Sequence, residues 1–145
     1  MPDIVEVIQA RSRGTMMETI GYRVLEVDGR HALCEIDFRP ELAQLTGLFH
    51  TGTLLTLADA TATAACMYAV DPTGGVDPAT FPLAIQLSAN LVRNIGSGKA
   101  IAEARFVHKG RSTMVVETTV RDEQGRTLAL VTTTHIVLAA SRSAP

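Results

Sequence analysis

The chain has 145 residues and a formal net charge of −2, with 46% hydrophobic residues, only 4% aromatic ones and no Trp. That length suits a single domain, spanning 1–145, with room for a substantial aliphatic core. So few aromatics and no positive balance exclude a stacking platform for single-stranded nucleic acid, and leave no electrostatic case for a nucleic-acid partner.

Residues 3–12 place Ile4, Val5 and Ile8 on one side of a short amphipathic helix. The β-branched and aromatic residues of 19–27 predict a strand, Asp28-Gly29 a hairpin turn, and 31–38 its partner, where Ala32, Cys34, Ile36 and Phe38 alternate with Leu33, Glu35 and Asp37. Pro40 ends that strand, and 41–49 reads as a connecting loop. Thr51–Val70, TGTLLTLADATATAACMYAV, predicts a long helix without a polar face. It is about as long as a membrane span, on the rule of roughly 20 apolar residues. Its Thr and Ala content, Asp59 near its centre and the lack of a flanking Lys/Arg cluster favour a helix wrapped by a sheet instead.

Residues 71–82, rich in Pro, Gly and Asp, read as loop, and 83–92 as a strand in which Leu83, Ile85, Leu87, Ala89 and Leu91 alternate with their neighbours. Asn94 to Gly98 makes a turn. Gly96-Ser97-Gly98 lies in a hairpin rather than at a helix start, so it is not a phosphate loop. Strands at 100–108 and 112–120 form a hairpin around Lys109-Gly110-Arg111, and Glu123-Gln124-Gly125 turns into a last strand at 127–138, followed by a frayed tail at 141–145. The fold class expected is α+β: a long central helix wrapped by a curved antiparallel β-sheet, with a short N-terminal helix. One sheet covers only part of so apolar a helix, so a dimer is expected.

Cys34 and Cys66 lack CxxC spacing and sit in apolar stretches, which suits free thiols in a reducing cytoplasm. The N-terminus carries acids early and no apolar segment of signal-peptide length. The four histidines show no ligand-like spacing, so no metal is called for.

Asp59 is the only formally charged side chain between Glu41 and Asp71. One helical turn away stand Leu55, Thr56, Ala62 and Thr63, none able to pair with its charge, and Cys66 lies two turns on. A carboxylate among apolar neighbours loses hydration, which raises its pKa and makes it a stronger base. His50 lies nine residues upstream, where the helix begins. The backbone N–H groups of Thr51 and Gly52, at the positive end of that helix, can polarise a carbonyl.

Gln44, Gly47, His50-Thr51-Gly52 and Leu57-Ala58-Asp59, in this order and spacing, resemble the signature of the hotdog-fold acyl-CoA thioesterases of the phenylacetate-pathway (PaaI-like) type. The resemblance extends over roughly residues 16–138, including the Gly110-Arg111 turn and the Asp122-Glu123-Gln124-Gly125 turn. Gln44 stands where the family has Asn, Thr51 where it has the first Gly after the His, and Ala84 where a Ser or Thr is common. The resemblance implies a homodimer or homotetramer hydrolysing a small-molecule acyl-CoA, with no separate cofactor and no membrane partner. It implies that Asp59 is general base or nucleophile, that Gln44, His50, Thr51 and Gly52 complete the site, and that Arg93, Lys99, Lys109 and Arg111 meet the coenzyme A phosphates. Two other readings stand beside it: a non-catalytic acyl-CoA-binding module, which Gln44 and Ala84 support, and a hydratase or dehydratase using His50 with Asp59.

Overall fold

The computed structural model describes residues 2–138; the tail at 141–145 lies outside them. Helix α1 (Ile4–Arg11) is opened by Asp3, whose carboxylate accepts the Glu6 N–H at 2.9 Å, and it buries Ile4 and Ile8. The strand expected over 19–27 is shorter than its β-branched content suggests, because Thr19 and Ile20 belong to a second helix, α2 (Met16–Ile20). Thr15 caps it through its hydroxyl, Glu18 reaches back to the Gly14 N–H at 2.8 Å, and Gly21 ends it at φ 75°. Local capping overrides strand propensity there, and β1 (Arg23–Val27) begins only after it.

The remaining order is β2 (His31–Asp37), a turn of 3-10 helix (Pro40–Leu42), α3 (Thr51–Val70), β3 (Leu83–Leu91), β4 (Lys99–Lys109), β5 (Thr113–Arg121) and β6 (Thr127–Ile136). Pro40 thus opens a short helical turn, and Ala43 bridges Phe49 within the loop that follows. The strands form one antiparallel sheet in the order β1-β2-β4-β5-β6-β3.

Period-two patterning puts one buried row on each central strand: Ala32, Cys34 and Ile36 on β2, Ala100, Ala102 and Ala104 on β4, Met114, Val116 and Val120 on β5, Ala129 and Val131 on β6. Helix α3 lays Leu54, Leu57, Ala58, Ala62 and Ala65 on that surface. Small residues on both sides let the helix axis approach the sheet closely, and Phe49, Leu54, Leu57 and Leu128 fill the space around them. Long and apolar enough to cross a membrane, α3 instead packs against β2, β4, β5 and β6. This is the hotdog architecture expected from the sequence.

Strand β3 differs. Its apolar alternation is real, yet nearly every residue is exposed on both faces, including Leu83, Ile85, Leu87 and Leu91. It is bonded to β6 on one side, and among the described residues nothing pairs its other edge.

On the solvent face of β1, β2 and β4, Arg23 meets Glu35 at 2.9 Å and Asp37 at 2.8 Å, and Lys99 meets both carboxylates at 3.2 Å. The Arg23 and Lys99 hydrogen bonds pull the Asp37 carboxyl down to about 2. Its folded value lies below its unfolded one, so its stabilisation is present above the unfolded pKa of about 4 and fades as pH falls through the folded value. In Asp37→Asn, melting temperature should therefore depend less steeply on pH between about 4 and 2. Parallel melting profiles for variant and parent across that window would show the network to be inert.

Candidate active site

The start of α3 is fixed from several directions. Phe49 is fully buried, meets Phe38 edge-on with ring centroids 5.1 Å apart, donates its N–H to the Ile95 carbonyl, and receives the Asn94 side-chain amide on its own carbonyl at 2.7 Å. The His50 N–H and the Thr53 hydroxyl both bond the Leu42 carbonyl. Asn94, a turn residue by sequence, thus anchors the chain just ahead of α3.

His50 is the helix cap: its Nδ1 accepts the Gly52 N–H at 2.8 Å. The Gly52 N–H, expected to be free, is therefore committed. The Thr51 N–H has no partner among the described residues and stands exposed at the positive end of the helix. Gln44 folds over its own turn, donating its side-chain amide to the Thr46 hydroxyl at 2.8 Å.

Asp59 sits in the middle of α3, half-buried, on a stripe with Gly52, Thr56 and Thr63 that the sheet leaves partly uncovered. At 1.5 Å per residue it lies about 13 Å along the axis from His50, so one chain does not bring the two together. The His50–Asp59 pair that a dehydratase would use is absent within a chain.

Asp59 borders a cavity of about 560 Å³ whose walls include Ile8, Met17, Tyr22, Phe81, Leu83 and Ala84. Helices α1 and α2, the middle of α3 and the start of β3 border it, and its size and mainly apolar lining suit a small molecule. Asp59 Oδ1 is buried without a hydrogen-bond partner among the described residues. Burial pushes the Asp59 carboxyl above the usual carboxylate range, while a positive charge on His135 acts the other way. His135 has no ligand-like spacing to the other histidines, so spacing alone does not single it out. The available signal was its phase, since Ala129, Val131, Thr133 and His135 form the inward row of β6.

The four basic residues assigned to coenzyme A do not form one patch. Arg93 and Lys99 lie at the end of the sheet where β5 finishes, Lys109 and Arg111 at the end where it starts, and nine residues of extended strand separate the two by about 27 Å. Lys99 is already held by Glu35 and Asp37, and Lys109 reaches the Gly29 carbonyl and the Phe106 ring. Arg93 and Arg111 are exposed and have no side-chain partner among the described residues.

A family model described as the thioesterase superfamily matches residues 46–129. A candidate esterase of Deinococcus radiodurans is 30% identical over 117 residues, covering 81% of this chain and 70% of that protein. The 1,4-dihydroxy-2-naphthoyl-CoA hydrolase of Listeria monocytogenes is 27% identical over 115 residues, covering 79% of this chain and 89% of that protein. In fold, the chain is similar to the E. coli PaaI protein from the phenylacetic acid degradation operon, with a TM-score of 0.78 at 19% identity over 92% of each chain.

Proposed function

Because the chain belongs to the thioesterase superfamily, we propose that it is a cytoplasmic acyl-CoA thioesterase that works as a homodimer with Asp59 as its base. The observation that carries this is a carboxylate oxygen, buried and unpartnered, on the wall of an apolar cavity of about 560 Å³. The similarity to a naphthoyl-CoA hydrolase supports a coenzyme A thioester as substrate.

The chemistry follows from the groups present. Asp59 removes a proton from water, the resulting hydroxide adds to the thioester carbon, and the carbon–sulfur bond breaks. The proton then leaves with the coenzyme A thiol. Direct attack through an anhydride would use the same carboxylate. The oxyanion needs a donor, and the Thr51 N–H supplies one without reorganisation. Since that donor lies about 12 Å along the helix axis from the Asp59 of its own chain, the reacting pair is Asp59 of one copy and Thr51 of the other. The unpaired β3 edge with its exposed leucines, beside the uncovered stripe of α3, is where the second copy docks. Arg93 and Arg111, uncommitted and at opposite ends of each sheet, are the residues best able to meet the coenzyme A phosphates from one copy or the other.

A panel of short, medium, long and aryl acyl-CoAs, followed by release of free thiol, tests the reading. Turnover on at least one class is expected. Saturable acyl-CoA binding with no thiol released from any member would replace it with a binding module, the reading that Ala84 on the cavity wall, without a hydroxyl, favours.

A further inference from the structure

The cavity beside Asp59 carries a second charge. Arg11, in the last turn of α1, borders it, and among the described residues it is the one cationic side chain that does. Its guanidinium has no hydrogen bond or ion pair among the described residues, and Asp59 forms no ion pair there either. Two opposite charges thus border one cavity of about 560 Å³ without meeting.

The hydroxyls nearest Arg11 in the chain are already spent. Ser12 donates to the Ile8 carbonyl at 2.9 Å and Thr15 to the Ser12 carbonyl at 2.6 Å, while Tyr22 donates to the Ala60 carbonyl at 3.2 Å. Arg11 is therefore the uncommitted side-chain donor that α1 and α2 bring to the cavity wall. The rest of the wall includes Met17, Val76, Phe81 and Leu83, which offer nothing to a polar guest.

We propose that Arg11 is a specificity-determining residue that receives a carboxylate at the far end of the acyl group, so that the preferred substrates are coenzyme A half-thioesters of dicarboxylic acids. The inference rests on the coenzyme A thioester reading above and names its acyl class. Such an acyl group is a run of methylenes ending in an anion. The methylenes match the apolar wall. The anion is repelled by an ionised Asp59 in the same cavity, so it enters only where a cation offsets that charge. A guanidinium does this with a planar fork that fits a carboxylate bidentately. A plain alkyl group of equal length gains the apolar contacts but strips water from Arg11 without replacing it. A cation in the last turn also suits the α1 dipole, a role that needs no place on the cavity. Arg13, exposed and off the cavity, is the matching control.

Calorimetric binding of hydrolysis-proof thioethers decides it, using carboxyalkyl-coenzyme A and alkyl-coenzyme A series of matched lengths beside coenzyme A itself. At one length or more, the parent should hold the carboxyalkyl compound on the order of tenfold more tightly than its alkyl counterpart, the scale of one charge-assisted hydrogen bond. Arg11→Gln should erase that preference, and Arg13→Gln should keep it. Tighter binding of the alkyl compound at every length, or a preference that survives Arg11→Gln, would overturn the proposal. Equal losses in Arg11→Gln for both series and for free coenzyme A would also overturn it, by placing Arg11 on the coenzyme A phosphates. Acyl-CoA turnover without any carboxylate preference would sink this inference and leave the thioesterase reading standing. If no member of either series binds and no acyl-CoA is turned over, both fall together.

Discussion

Asp59→Asn should lower kcat by ~10²–10⁴, the usual contribution of a general base, while acyl-CoA still binds. The amide keeps the shape of the side chain but can neither accept the water proton nor attack the carbonyl at neutral pH. Stability should move the other way. The folded-state pKa of Asp59 is raised, so its ionised form weakens the fold at neutral pH and that penalty fades as pH falls. A neutral amide removes the penalty, and the melting temperature at pH 7 should hold or rise. A carboxylate kept for structure would give the opposite pair of results, with turnover intact and stability lost. Steady-state kinetics and one melting curve on the same sample separate the two.

Leu87→Asp should abolish both association and activity. Leu87 stands in the middle of β3, 39% exposed in the single chain, on the strand whose outer edge nothing pairs among the described residues. A second copy seated there would bury it, and an unpaired carboxylate in such an interface costs several kcal/mol. Because Leu87 adds little to the core of its own chain, the variant should stay folded. Sedimentation should show a folded monomer with thioester turnover reduced to background, the parent remaining dimeric at micromolar concentration. A fully active monomer, from either protein, would place the complete site within one chain.

The sequence was most legible where periodicity and spacing act locally. Thr51–Val70 was delimited to the residue because no charge but Asp59 interrupts it and His50 and Asp71 flank it. The inward phase of β2 follows from Ala32, Cys34 and Ile36 alternating with Leu33, Glu35 and Asp37. Helix α2 carries a capping-box pattern, Thr15-Met16-Met17-Glu18, that competes with the strand propensity of Thr19 and Ile20. The site divided along the same line. Asp59 was conspicuous as a solitary charge in an apolar run. His135 is less conspicuous, since only the inward phase of β6, with Ala129, Val131 and Thr133, marks it as buried. The commitment of the Gly52 N–H to His50 and of Lys99 to Glu35 and Asp37 depends on side-chain reach, which residue type alone does not encode.

Mixing two inactive variants tests the composite site most directly. Thr51→Pro removes the uncommitted N–H at the first position of α3, where proline is well tolerated, and His50 ahead of it is already extended at φ −67°, ψ 136°. Alone it should cost ~10²–10³ in kcat, the loss typical of one oxyanion donor, without lowering the melting temperature. In a hybrid dimer of Thr51→Pro with Asp59→Asn, one site carries both defects and the other neither. Co-expressed subunits should therefore regain activity on the order of a quarter of the parent's, the share of intact sites after random pairing in a symmetric dimer. Hybrids as inactive as either variant alone would mean that Asp59 and Thr51 serve the same chain's site, or no site at all.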